Sequence, residues 1–259
     1  MPLNLQTFGG VLRYEFRMQI RRWSLWLTFL GFAVATFLLT QTSATWRHIS
    51  AKPSILVAFA DVASLTMQFC PLAVGLLLAD RLPRDSRVRV SETLEALPGS
   101  LGARLWGKYL GNALATCVPM LIIYGFGIAY LFALRGRDAL TAPLALLVFL
   151  AVALPGILFV AAFSVACPSL LWTPLYQFLF IGYWLWGNLL ALPTIPTFNG
   201  TLLTPVGDMM VSGFFGEDSG SVHHATALQG VESMALLLAL GAVVVFAADR
   251  YLRWRQARR

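Results

Sequence analysis

Charge is the first thing this chain is short of. Only 12% of its residues are charged, 58% are hydrophobic, and the mean hydropathy is +0.72. Soluble domains run nearer ~45–50% apolar and ~25% charged. Too few polar side chains are present to cover a globule of 259 residues, which excludes an ordinary soluble domain. Cysteine is scarce as well. Cys70, Cys117 and Cys167 lie inside or beside apolar runs, and none has C-x-x-C spacing. They read as small buried hydrophobes, not as a disulfide framework or a metal site. Histidines are few, and the adjacent His223 and His224 have no cysteine or paired carboxylate at ligand spacing. They read as a solvated loop pair. Hydrolase signatures are missing too: there is no G-x-S-x-G, no G-x-G-D, and no pair of buried acids with a histidine.

Long apolar runs are what the chain has. Six of them cover roughly 24–41, 55–79, 105–133, 143–166, 171–192 and 228–248. Each reaches the ~20 residues that a helix needs to cross a bilayer. Only helices of this kind satisfy their own backbone in lipid at this length. The expected fold is an all-α membrane protein, one domain over 1–259, with six transmembrane helices and both termini on one side. Fifteen of the 19 basic residues fall on that side: four in the N-terminal segment, six between the second and third runs, five in the C-terminal tail. Arg47, Lys52, Arg135 and Arg137 fall on the other. The positive-inside rule makes the basic side cytoplasmic. Topology accounts for the net charge of +7, so nothing argues for a nucleic-acid partner. The 17 arginines against two lysines fit the codon usage of a GC-rich bacterial genome.

The first run is too long, and too far from the start, for a signal peptide. Residues 1–23 instead carry Leu12, Phe16, Ile20 and Trp23 at helical spacing, beside a stripe of Arg13, Arg17 and Arg21. This predicts an amphipathic N-terminal helix lying in the cytoplasmic interface among the lipid headgroups. The alternative is a cytoplasmic extension of the first span.

"GARLWGKYL", residues 102–110, stops one residue short of a Walker A loop. Tyr109 stands where a Ser or Thr would hold magnesium, no strand precedes it, and a membrane helix follows. Asp80 in "LLLAD" ends a span and is not a Walker B acid. ATP binding by this chain is rejected. Gly107, Gly111 and Ala115 recur at four-residue spacing, which suits close packing of two helices. Ordinary tolerance of glycine in a membrane helix explains them nearly as well.

The cytoplasmic connection, 80–104, is dense in charge. Val90, Leu94 and Leu97 give residues 86–97 an apolar stripe, and Pro98–Gly99 stops that helix. Ser100 is placed to cap the next one. That helix would run to about residue 133, roughly 50 Å at 1.5 Å per residue. It exceeds the ~30 Å hydrocarbon core, so its first turns would stand outside it. A partner gripping 86–97 would then tilt the bundle.

Glu92-Thr93-Leu94, then Leu97-Pro98, then Gly107-Lys108 resembles the ABC-2 type permeases, the membrane subunits of ATP-binding-cassette exporters. The sequence match is local, about residues 80–112, while the architecture matches along the chain. The resemblance implies a cytoplasmic coupling helix docked on a separate ATPase subunit, with Arg87, Arg89, Glu92, Thr93, Leu94, Leu97 and Pro98 at the contact. It implies a second permease subunit, identical or a sister chain. It places ATP and magnesium in the partner ATPase, with no cofactor here. It implies a multi-pass protein of the cell (inner) membrane, and no enzyme activity in this chain. "EALPG" lacks the spacing of the importer loop, so an exporter fits better.

The connection 193–226 has no Lys or Arg. Its apolar stretch "LLTPVGDMMVSGFFG" is too short to span and is interrupted by Pro205, Gly207 and Gly213. A loop this long without structure is uncommon. A re-entrant or interfacial pair of short helices is expected, and the resemblance implies that it closes the outer end of a path. Asp61 and Glu232 lie in apolar runs near their outer ends. Ionisable groups in a membrane are candidates for a pathway, although both could reach the outer interface. The competing function class is a polytopic membrane enzyme, an intramembrane hydrolase or lipid transferase. It would draw on Asp61, Ser164 and Glu232, and Ser164 has no visible base.

Overall fold

The computed structural model describes residues 5–40, 43–81, 100–136, 141–189, 197–216, 218–219 and 222–258. Among them the chain is helical, and the one β feature is an isolated bridge between Ser219 and Val222. The helices are α1 (Leu5–Ile20), α2 (Trp23–Thr40), α3 (Ser43–Ser50), α4 (Ile55–Leu78), α5 (Leu101–Arg135), α6 (Ala142–Ala166), α7 (Thr173–Trp184), α8 (Asp208–Phe215) and α9 (Ala227–Ala257). Each of the six apolar runs contains a helix among the described residues. Among the described residues four helices are long and apolar enough to cross a membrane: α4, α5, α6 with the 3-10 turn that extends it to Ser169, and α9. The first run forms a shorter apolar helix, and the fifth gives α7 followed by a π-helical turn over Leu185–Leu189. The chain is therefore an α-helical membrane protein.

Local signals set the boundaries. Ser100 accepts a hydrogen bond from the Ala103 N–H at 3.2 Å, as its position predicts, and starts α5. Gly136, at φ +95, ends it after 35 residues. Thr226 and Gln229 form a reciprocal capping box at the start of α9. Pro143 and Pro174 sit in the first turns of α6 and α7, where their missing N–H costs nothing. Between α1 and α2 the chain breaks at Arg21 and Arg22, and the Trp26 indole donates across the break to Ile20 O at 2.8 Å.

α4 is the central helix, packed by α2, α5, α6, α7 and α8. Lipid tails are as apolar as leucine, so helices here associate through close packing and hydrogen bonds, not through exclusion of water. The buried tyrosines illustrate the second term. The Tyr124 hydroxyl lies 3.0 Å from Ala145 O of α6 and 3.4 Å from Phe59 O of α4, and the Tyr109 hydroxyl donates to Leu158 O of α6 at 3.1 Å. Trp184, fully buried, donates to Gln68 O of α4 at 2.7 Å. That carbonyl is next to Met67, whose own carbonyl loses its helical donor to Pro71. At the other end of the bundle, the Arg135 guanidinium donates to Lys52 O and ties the end of α5 to the start of α4.

Candidate functional site

Two buried polar constellations stand out. The first joins α1 to α5. A Cβ on Gly107 would lie 3.0 Å from both Phe8 O and Val11 Cβ, and one on Gly111 would lie 2.6 Å from Leu12 O. The α1 neighbours advance by four residues as α5 does, so the two helices run parallel here. Ala115, fully buried, continues the same face. Opposite this stripe α1 presents a carboxylate. Glu15 Oε1 is 3.2 Å from Lys108 Nζ, and its Oε2 accepts from Asn112 Nδ2 at 3.1 Å. Asn112 Nδ2 also donates to Lys108 O at 2.8 Å. One turn on, Gln19 is buried with its Oε1 unpaired, and Asn112 Oδ1 is unpaired too.

So the two buried residues of α1, Glu15 and Gln19, are polar, while Arg13, Arg17 and Arg21 are exposed. Of the apolar stripe read from sequence, Leu12, Phe16 and Ile20 are only half-buried and Trp23 is exposed. α1 is seated along the first turns of α5, with that stripe turned partly outward. Sequence reading missed Glu15 because it sits inside an arginine-rich stretch. Glu15 and Gln19 at four-residue spacing, off the arginine stripe, were the available signal. The Walker-like Lys108 is committed to Glu15.

Near the start of α5, Arg253 donates through Nε and Nη2 to Asp249 Oδ2, each at 2.9 Å. Asp249 Oδ1 is buried without a hydrogen-bond partner and faces Gly102 in the first turn of α5. A carboxylate there is favoured by the N-terminal end of the helix dipole.

The second constellation lies in the 197–222 segment. Asp208 opens α8 after Gly207, whose φ of +99 turns the chain inward. The carboxylate is 5% exposed. Its Oδ1 accepts from Ser219 Oγ at 2.8 Å and from Ser64 Oγ of α4 at 3.2 Å. Burial pushes the carboxyl above its ordinary 3.8, and the two hydroxyl donors pull it part of the way back. Sequence reading placed Asp208 in the outer connection, where short helices were expected, and gave it no role. Nearby, Asp218 and His223 form an exposed pair at 3.1 Å. The His223 hydrogen bond, with the His224 N–H, holds the Asp218 carboxyl below its ordinary value.

The remaining candidates are scattered. Asp61 lies near the start of α4, 3.9 Å from Lys52, and Glu232 is exposed on α9 beside the inward-facing Ser233. Ser164 donates to Val160 O at 2.7 Å and accepts from the Tyr176 hydroxyl at 2.9 Å, so its proton is held by the backbone. Arg87, Arg89, Glu92, Thr93, Leu94, Leu97 and Pro98 lie outside the described residues, as do residues 82–99 of the 80–104 connection. Among the described residues no group of three His, Cys, Asp or Glu could hold a metal. The three cysteines are free. No family model matches the chain, and no curated protein matches it.

Proposed function

We propose that the chain is the membrane subunit of an ATP-binding-cassette exporter of the ABC-2 type. One observation carries the reading: a single helix of 35 residues, α5, begins directly after the 80–99 segment whose residues resemble the family's coupling region. At 1.5 Å per residue it is about 52 Å long, some 20 Å more than the hydrocarbon core. The excess stands at the end where the charged segment joins it. A force on that segment enters the bundle through a rigid rod, and the Glu15–Lys108 contact makes α1 move with it.

On this reading the basic side faces the cytoplasm, both termini lie there, and six spans cross the inner membrane. A separate ATPase subunit holds ATP and magnesium and grips Arg87, Arg89, Glu92, Thr93, Leu94, Leu97 and Pro98. A second permease subunit completes the path, and the 193–226 segment closes its outer end. Glu92→Arg and Leu94→Asp test the grip in the assembled complex. Both variants should reach the membrane at normal level and lose ATP-driven transport. Full transport in both would remove the coupling role from 86–97.

A further inference from the structure

Residues 202–211, between α7 and α9, go deep. A Cβ on Gly156 of α6 would lie 2.0 Å from Pro205 O and 2.7 Å from Met67 Cε of α4. Gly156 is 14 residues into α6, about 21 Å from the Ala142 end at 1.5 Å per residue. Gly207 rests on Val152, about 15 Å from the same end. Leu202 O accepts from Ser233 Oγ of α9 at 2.8 Å. Thr204, Val206, Met210 and Val211 are all buried. Irregular backbone at such depth is tolerated only where protein surrounds it or where it lines a cavity.

A carboxylate is an expensive residue to bury here, and ionisable groups inside a membrane bundle carry function by default. Asp208 takes both of its donors on one oxygen. They come from different places: Ser64 from α4, and Ser219 from beyond α8, where it pairs with Val222 through backbone bonds of 3.1 and 2.9 Å. One oxygen therefore ties both the short helix and Ser219 to the central helix.

We infer that residues 197–215 form a withdrawable plug, latched in the bundle by Asp208 Oδ1 accepting from Ser64 and Ser219. Releasing the latch lets the plug leave its seat on Gly156 and Val152 and opens that end of the bundle to water. The inference concerns how the chain closes its own bundle. It rests on the proposed reading of 193–226 as the outer closure and adds the latch that holds it; the test is read on the chain alone, so it can fail while the ATPase-coupling reading stands.

The test is solvent access beneath the plug. Val152→Cys, fully buried under Gly207, is placed in the full chain with Cys70, Cys117 and Cys167 changed to Ala. A membrane-impermeant maleimide is applied from the side carrying Lys52 and Arg135. The parent should stay unlabelled, and so should D208N, whose side-chain carbonyl still accepts from both serines. D208A should label about tenfold faster or more, and so should the S64A/S219A pair, since each removes both hydrogen bonds. If D208A is not monodisperse on size exclusion, the serine pair decides, because it removes only two hydroxyls. No added labelling in the well-folded variants would overturn the latch. So would D208N labelling as fast as D208A.

Discussion

Lys108→Met probes the α1–α5 junction most sharply. The Lys108 and Glu15 side chains are only 10% and 7% exposed, so the pair is a buried one. Removing one partner of such a pair costs about 3–5 kcal/mol, because the other charge stays buried. Glu15 would keep the Asn112 bond alone, and its short side chain cannot reach water. Glu15→Gln should cost less, since the long lysine stem lets its ammonium snorkel outward. Replacing both together, with Glu15→Leu and Lys108→Met, should come within about 1 kcal/mol of the native chain or be more stable. At roughly 2–4 °C per kcal/mol, Lys108→Met should melt about 6–20 °C lower. A thiol-reactive dye reads the unfolding in detergent, because Cys70 is fully buried in the fold. Lys108→Met melting within about 2 °C of the native chain would refute the reasoning, and so would a double variant that is worse than either single one.

Three other outcomes follow from the packing. Gly156→Ala drives a methyl onto the backbone of Pro205 and should destabilise the fold by about 1–3 kcal/mol, read by the same dye. Ser164→Ala leaves the buried Tyr176 hydroxyl without its partner and should cost about 1–3 kcal/mol while leaving expression-normalised transport unchanged; loss of transport at normal stability would return Ser164 to the functional list. The Asp208 carboxyl is raised above 3.8 in the fold, so the folded state holds its proton longer than the unfolded one. The stability it contributes is present at low pH and lost as pH rises through the raised value. The melting temperature of Asp208→Asn minus that of the native chain should therefore grow as pH rises from about 4 and then level off; a flat difference would contradict the shift.

Much of the helical frame was legible. The six apolar runs, the Ser100 cap and the long helix after Pro98–Gly99 rest on local chemistry that any window of sequence displays. Which face packs inward was not. In lipid the outer surface is as apolar as the core, so Leu121, Ile122 and Phe126, exposed on α5, look like the buried Leu105 and Met120. The buried acids were hidden for a related reason. Glu15 sits among arginines and Asp208 in an interrupted apolar stretch, and their partners Lys108 and Ser64 lie far away in sequence. Gly107 and Gly111 were visible as a small-residue face, but that their neighbour is α1 depends on the fold.

The most direct measurement is what the chain carries with it out of its native membrane. A tagged copy is extracted in mild detergent, and the co-purifying proteins are identified by mass spectrometry. The account predicts a nucleotide-binding subunit of the ATP-binding-cassette type, released when Leu94 is changed to Asp. Recovery of the chain with no such ATPase, from a membrane that contains its native partners, would contradict it.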